Sequence, residues 1–348
     1  MQNTVKTDQA VVNEVERTKF KRGLATIAKD WRLYVLLIPM LAFLICFKYL
    51  PITGILEGFK WGSYQQSTRY MGQWCGSQWL EYIFVGDGSV EFWRAFRNTF
   101  VNSMYGLIIG FPIPIFLALL FSEIKVLGYR SVLQVCAYLP HFVSTVVVTS
   151  IITLWCTGES SASDAPGIIF KIVKATGALK DSNGVLDPRG LLAHPKFFRP
   201  IYQVSGIWEG AGYGSIVYFA AILAISPTSY EAARIDGASK VQQIRYVTFP
   251  GMAPTLTIML IMRIGHILNI GYEKIILLIG SETTAWETGD VVSTLVYRMT
   301  GRGGSAGESV QVIEQMGVVA DLFNSLIAMV LVLGANAISR RVSSTSLF

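Results

Sequence analysis

Residues 231–250 read EAARIDGASKVQQIRYVTFP. The stretch is polar, charged and interrupted by a glycine, and it lies between two long apolar runs. A loop joining two membrane spans needs little order to stay in water, yet this one carries the punctuation of two short helices. Pro227 follows Ser226, and Thr228 with Glu231 three residues later has the spacing of a capping box, so a first helix is predicted to start there. Gly237 after Asp236 breaks it, and a second helical stretch is predicted to run until Pro250 stops it. An ordered helix pair in a membrane loop points to a docking element. The bland alternative is an amphipathic interfacial helix, because Glu-Ala-Ala is common in helices.

Working outward, the chain has 348 residues, 52% of them hydrophobic and 15% charged, where soluble domains carry about a quarter charged. Mean hydropathy is +0.46. Twelve prolines and 32 glycines sit partly inside apolar runs, as membrane helices tolerate. The composition is that of a polytopic, all-α membrane protein. The net charge of +6 is spread over ends and loops with no basic cluster interleaved with aromatics, so nucleic acid is not an expected partner. The four cysteines stand singly, without metal-ligand spacing. Cys46 and Cys136 read as small apolar packing residues. Cys75 and Cys156 both fall on the predicted outer side, where a bridge is chemically feasible but two independent thiols fit the spacing better.

Apolar runs of about 20 residues give six predicted spans, at 33–56, 98–121, 131–155, 201–225, 252–280 and 317–339. Seven Lys/Arg precede the first run, which places the N terminus in the cytoplasm. Even parity returns the C terminus, with Arg340 and Arg341, to the same side. The 231–250 segment then faces inward. Three outer segments remain. Residues 57–92 are aromatic-rich (Trp61, Tyr64, Tyr70, Trp74, Trp79, Tyr82), read as an interfacial belt or as a surface for a sugar or a delivery protein. Residues 157–200 hold an amphipathic GIIFKIVK piece, and 282–315 include the glycine-rich GRGGSAGES.

No GxxxxGK[ST] loop, HExxH or paired metal-ligand spacing exists in the sequence, so an ATPase or other enzyme is not expected. Ionisable groups inside spans are costly unless paired or facing a cavity. Arg263, His266, Asn269 and Glu273 fall at three- and four-residue steps, which on one continuous helix puts them on about one face. Asn98, Asn102 and Tyr105 form a second stripe. His141 and Ser144 follow Pro140, and Trp208 with Glu209 lies in the glycine-rich GIWEGAGYGS. These faces are candidates for a hydrophilic translocation path. Interhelical hydrogen bonding that merely glues the bundle is the competing reading, and the small residues of GAGYGS fit close helix packing.

The 231–250 segment resembles the EAA loop of importer-type ABC transporter permeases: Glu231-Ala232-Ala233, three residues, Gly237, then nine residues ahead of a hydrophobic-x-hydrophobic-Pro ending. Val247 and Phe249 replace the family's usual Ile and Leu. NTFVNS, GFPIPIFLALLFSEI, YLPHF, FRPIYQVSGIWEGAGYGS and the tail ANAISRRVSSTSLF extend the resemblance over most of 30–348, to binding-protein-dependent permeases of the carbohydrate-uptake, maltose-type group and its LplB-like branch. The stretch at 301–315 is longer than that pattern. The resemblance implies a MetI-like core at 93–340 within a permease domain at 33–340, flanked by cytoplasmic tails at 1–32 and 341–348. It implies an ATPase-coupling loop at 227–250 built on Glu231, Ala232, Ala233, Asp236, Gly237, Ala238 and Pro250. The implied partners are a second homologous permease, two cytoplasmic ATPases that use ATP and Mg, an extracytoplasmic solute-binding protein and an oligosaccharide, in a bacterial inner membrane. No cofactor is expected on this chain. Import of another polar solute and an ion-coupled secondary transporter stay open.

Overall fold

The computed structural model describes residues 29–60, 73–159, 165–179, 186–280, 283–299 and 314–342. Trp61, Tyr64, Tyr70, most of the tails and most of the 301–315 stretch lie outside them. Among the described residues the chain is helical, with one isolated antiparallel bridge between Lys60 and Trp74. It divides into two compact units, 1–57 and 58–348. The first consists of α1 (Trp31–Leu44), which continues through a π turn (Ile45–Tyr49) into 3-10 turns (Leu50–Phe59). The helical turns therefore pass through Lys48 and Pro51. From Trp31 to Tyr49 none of its residues is buried, which costs little for an apolar helix in lipid.

The second unit holds the remaining helices. They are α2 (Gln78–Phe84), α3 (Ser89–Ile108), α4 (Pro112–Glu123), α5 (Leu127–Tyr138), α6 (Thr145–Cys156), α7 (Ile168–Ala175) and α8 (Pro195–Leu223), followed by α9 (Pro227–Ile235), α10 (Lys240–Gln243), α11 (Phe249–Gly265), α12 (Tyr272–Ile279), α13 (Trp286–Gly289), α14 (Val292–Met299) and α15 (Glu314–Val342). Four helical stretches are long and apolar enough to cross a membrane: 31–59, 89–123, 240–265 and 315–341. Two bent pairs bring the number to six if each is one span.

Three predicted spans differ from their expected form. The third, expected at 131–155, is bent by 93° between Phe142 and Thr145. Pro140 opens a 3-10 turn there, and Val143 and Ser144 are extended, with ψ of 137° and 138°. The second breaks at Ile109–Phe111, ahead of Pro112 and Pro114, where proline withholds the N–H that would continue α3. The fifth, expected at 252–280, ends at Gly265 and resumes at Tyr272. Pro250, for its part, does not stop a helix. Residues 240–265 run on through it, because the π turn Ile244–Thr248 has already shifted the ladder: Phe249 N–H donates five residues back, to Ile244 O.

Three apolar clusters hold the second unit together. Tyr218 and Ile222 of α8 pack with Ile115 and Ala118 of α4 and Met252 of α11. Phe92 and Ala95 of α3 pack with Trp79, Leu295, Val319 and the rings of Phe84, Phe96 and Phe323. Phe198, Phe170, Ile275 and Val148 join α8, α7, α12 and α6. Apolar burial drives little of this association within lipid, so close approach decides it. A β-carbon at Gly212 would overlap the Ala137 carbonyl oxygen, so α8 meets α5 at the GAGYGS patch only because that residue is glycine.

The four cysteines are free; Cys75 and Cys156 are buried in different clusters, while Cys46 and Cys136 are exposed rather than packed. In the 157–194 segment Arg189 donates from its guanidinium and backbone N–H to Asp187 and holds that carboxyl down to about 2.

Candidate functional site

A cavity of about 590 Å³ opens among α3, α4, α8 and α11, where two of these helices are interrupted. Interrupted helices expose carbonyls that lipid cannot satisfy, so side chains must do so. In the break after α11, Ser103 Oγ donates to Ile267 O, Asn324 Nδ2 to Leu268 O at 3.1 Å, and Ser293 Oγ to Ile270 O at 2.6 Å. Three different helices thus hold the unwound segment. At the other break, Arg263 Nη2 donates to Gly106 O at 3.1 Å. That carbonyl lies in the last turn of α3, where acceptors lack intrahelical donors and a cation is favoured.

Arg263, His266 and Asn269 all line this cavity and are exposed to it. They do so without sharing a helical face, since the helix ends at Gly265; the break brings them together. Glu273, the fourth member of the expected stripe, is exposed in the first turn of α12 and does not line the cavity. Its neighbour Lys274 does, and its Nζ pairs with Glu209 Oε2 of α8 at 2.8 Å, 5.9 Å from the Tyr202 ring centre. Glu209 therefore reaches the wall through Lys274, a residue that spacing alone did not single out.

The Asn98–Asn102–Tyr105 stripe divides. Asn98 is fully buried outside the cavity: its Nδ2 donates to Glu287 O and Asp290 O at 2.9 and 3.0 Å, and its Oδ1 accepts from Arg199 at 2.7 Å. It ties α3 to α8 and to the α13–α14 junction. Asn102 lines the cavity; its carbonyl accepts from Gln203 Nε2 at 2.8 Å, while its side-chain Oδ1 and Nδ2 are buried without a partner. Tyr105 is exposed on a separate groove of about 490 Å³ beside Arg199 and Val204. His141 is exposed and stacks on Tyr213 at 4.0 Å, Ser144 is exposed at the start of α6, and Trp208 is 53% exposed. None of these three lines the cavity.

A buried ionic cluster beside Asn98 escaped the sequence reading. Asp290, fully buried, accepts from Arg298 at 2.6 Å, Arg94 at 3.4 Å and Thr294 at 2.9 Å. Eight residues, two helical turns, separate Asp290 from Arg298, and a weak signal lay there; nothing local points to Arg94.

The 227–250 loop is ordered for reasons visible in its bonds. α9 begins with Pro227 in its first turn, and Ser226 and Thr228 bond each other at 2.7 Å rather than capping it. Glu231 is exposed in the middle of the helix, so the expected Thr228–Glu231 box is absent. The box forms on the next helix instead: Ser239 N–H donates to Gln242 Oε1 at 2.7 Å and Gln242 N–H to Ser239 Oγ at 3.4 Å. α9 ends in a Schellman turn, with Ala238 N–H donating to Ala233 O at 2.9 Å, Gly237 N–H to Arg234 O at 3.1 Å, and Gly237 at φ +74°. Lys240 pairs with Glu123 at the end of α4 at 2.6 Å. Ala232, Asp236 and Ala238 are exposed or half-buried, and Ile235, Val241 and Tyr246 are 86%, 74% and 66% exposed.

A family model described as "Binding-protein-dependent transport system inner membrane component" matches residues 110–344, which include both the cavity walls from α4 onward and the loop. Protein LplB of Bacillus subtilis (strain 168) is 32% identical over 327 residues, covering 93% of each chain. The polygalacturonan/rhamnogalacturonan transport system permease protein YteP of the same organism is 29% identical over 334 residues, covering 96% of this chain and 95% of that one. Among solved structures, a permease chain from a bacterial ABC transporter involved in import of the acidic polysaccharide alginate superposes with a TM-score of 0.77 at 36% identity, covering 93% of this chain and 100% of that chain. Helical among its described residues, with apolar helices of membrane length, this chain belongs to the inner-membrane components of binding-protein-dependent ABC transport systems.

Proposed function

We propose that this chain forms half of the pathway by which an ABC importer moves an oligosaccharide into a bacterial cell. The observation that carries the reading is the cavity between the broken helices, whose wall places Arg263, Asn269, Asn102 and the Lys274–Glu209 pair around a space open on one side. Sites in membrane transporters form where unwound backbone lines a cavity, and polar groups in spans are retained where they meet a solute or each other. Relatives named for polygalacturonan/rhamnogalacturonan and alginate transport support a carbohydrate.

The open side is taken by a second, similar permease, so that the pathway lies between two chains. An extracytoplasmic binding protein delivers the sugar to the outer ends of the helices; a similar bacterial alginate ABC transporter forms a complex with an alginate pentasaccharide-bound periplasmic protein. On the cytoplasmic side, Ile235, Val241 and Tyr246 present apolar surface on a largely polar loop, and two ATPase subunits dock there. They use ATP and Mg; this chain carries neither. Closure of the ATPase pair pulls the loop, and the Lys240–Glu123 bond and the continuous 240–265 helix pass that motion to the cavity wall. The loop must bind the two ATPase states with different affinity for this to shift the spans. Both termini lie in the cytoplasm.

The test is uptake of labelled oligosaccharide by proteoliposomes holding the assembled complex. Uptake is expected only with internal-face ATP and external binding protein. Uptake that persists without ATP and follows an imposed ion gradient would replace this reading with a secondary transporter.

A further inference from the structure

Two spaces border the same helix. The cavity of about 590 Å³ and the groove of about 490 Å³ share Gln203 and Ile207 in their walls. Along α8, Lys196, Pro200, Gln203, Ile207, Gly210 and Gly214 recur at three- and four-residue steps, which is one helical face. The first four line the groove and the last four line the cavity. A single stripe of α8 therefore floors both, with the groove towards the helix start and the cavity further along.

α3 stands between them. Tyr105 and Ile109 line the groove, whereas Ser103, Gly106 and Gly110 line the cavity. The partition is one turn of α3, Asn102 to Gly106, and side chains from two other helices hold its carbonyls. Gln203 Nε2 donates to Asn102 O at 2.8 Å and Arg263 Nη2 to Gly106 O at 3.1 Å. A β-carbon at Gly106 would lie 3.9 Å from Gln203 Oε1, so Gln203 spans the turn. The helical ladder stops just past it, at the break before Pro112. The partition is thus the end of a helix, where local opening costs least.

Asn102 supplies an independent observation. It is 2% exposed, and both polar atoms of its side chain are buried without a partner. A stranded amide costs as much as a single hydrogen bond returns, so the Gln203 bond is offset within the same turn. Water or a solute hydroxyl that reaches the amide can both donate to it and accept from it, and so favours the open arrangement.

We propose that the groove and the cavity are successive sections of one passage, and that Gln203 is the gating residue between them. The groove is the outer vestibule, and breaking the Gln203–Asn102 bond joins it to the cavity. This rests on the import reading, which puts the start of α8 on the outer side, and adds to it the order in which the two spaces fill.

The test reads thiol accessibility in right-side-out membrane vesicles holding the full complex without ATP. The native cysteines are replaced, and a membrane-impermeant thiol reagent is added outside. Val204→Cys, in the groove and 66% exposed in the wild type, is expected to react. Gly210→Cys reports from the cavity, and its β-carbon meets nothing within 4 Å. It is expected to react slowly while Gln203 is present. With Gln203→Ala its rate is expected to rise about tenfold, the scale on which one hydrogen bond moves an open–closed equilibrium. Native Cys156, buried in a different cluster and kept in a separate chain, reports general loosening and is expected to stay protected. The proposal is overturned if Gly210→Cys already reacts as fast as Val204→Cys with Gln203 in place, or if Gln203→Ala leaves its rate unchanged. It is overturned too if Cys156 gains by the same factor. Reaction of Val204→Cys only from the inner face overturns the vestibule and the orientation together. The gate results use no sugar, so they leave import standing; that reading fails only on uptake by the wild-type complex.

Discussion

Asp290 and Lys274 show what single side chains do in a bundle where water is scarce. Asp290 is fully buried between Arg298 and Arg94, with Thr294 on its other oxygen. Removing one partner from such a cluster leaves buried charge uncompensated, at about 3–5 kcal/mol. Asp290→Asn is therefore expected to lower the thermal midpoint of the detergent-purified protein sharply. Arg94→Gln is expected to do much less, because Arg94 is one-third exposed and its contact is longer. Equal midpoints for the two variants would show that the cluster does not brace α3 against α14. Lys274→Met strands Glu209 in the same way and is expected to destabilise more than the Lys274→Met/Glu209→Gln double variant; a double-mutant cycle on thermal midpoints reads the coupling. Of these residues the sequence marked only Glu209. Arg94 and Asp290 are 196 positions apart, and no local period connects them.

At the scale of elements, helix ends and breaks shape both the loop and the cavity of the proposed pathway. The loop after α9 turns on Gly237 at φ +74°, a conformation that penalises a side chain by roughly 1–2 kcal/mol. Gly237→Val is expected to uncouple ATP hydrolysis from uptake with membrane insertion intact; wild-type uptake at matched complex levels would remove the loop from the coupling path. Ser239→Ala takes one half of the capping box and is expected to cost about 1 kcal/mol of local stability, seen as faster amide exchange over 240–243. Glu231→Lys acts by charge alone, because Glu231 caps nothing. The glycine turn was legible from spacing. The cap was misplaced from Ser239–Gln242 to Thr228–Glu231, since Ser-x-x-Gln and Thr-x-x-Glu are both boxes by pattern and Pro227 shifts the first helix so that Ser226, not Thr228, precedes it. The breaks at Ile109–Phe111 and His266–Gly271 interrupt hydrophobic runs that hydropathy reads as continuous. Prolines flag the first; glycines at 265 and 271 flank the second but are too common in spans to announce it.

For the whole molecule, topology is the first measurable consequence. Reporter fusions at residue 1 and after Phe348 are expected to report a cytoplasmic location for both ends, and an external signal at either end would break the six-span arrangement. Cys75 and Cys156 are free and buried in separate clusters, so the mobility of the non-reduced protein is expected to match that of the reduced one. What the sequence determined by itself was the class of molecule: apolar runs of membrane length, a charged and punctuated loop between two of them, and the absence of a nucleotide-binding motif. These follow from composition and local spacing, which act through solvation and backbone geometry within a few residues. Which polar residues face a common space was decided only by tertiary structure. Arg263, His266 and Asn269 meet at the cavity because α11 unwinds and side chains from three other helices satisfy its freed carbonyls. Asn98, Tyr105 and Glu273 leave it for the same kind of reason. Their neighbours in space come from segments distant in the chain, and periodicity along one helix holds no record of them.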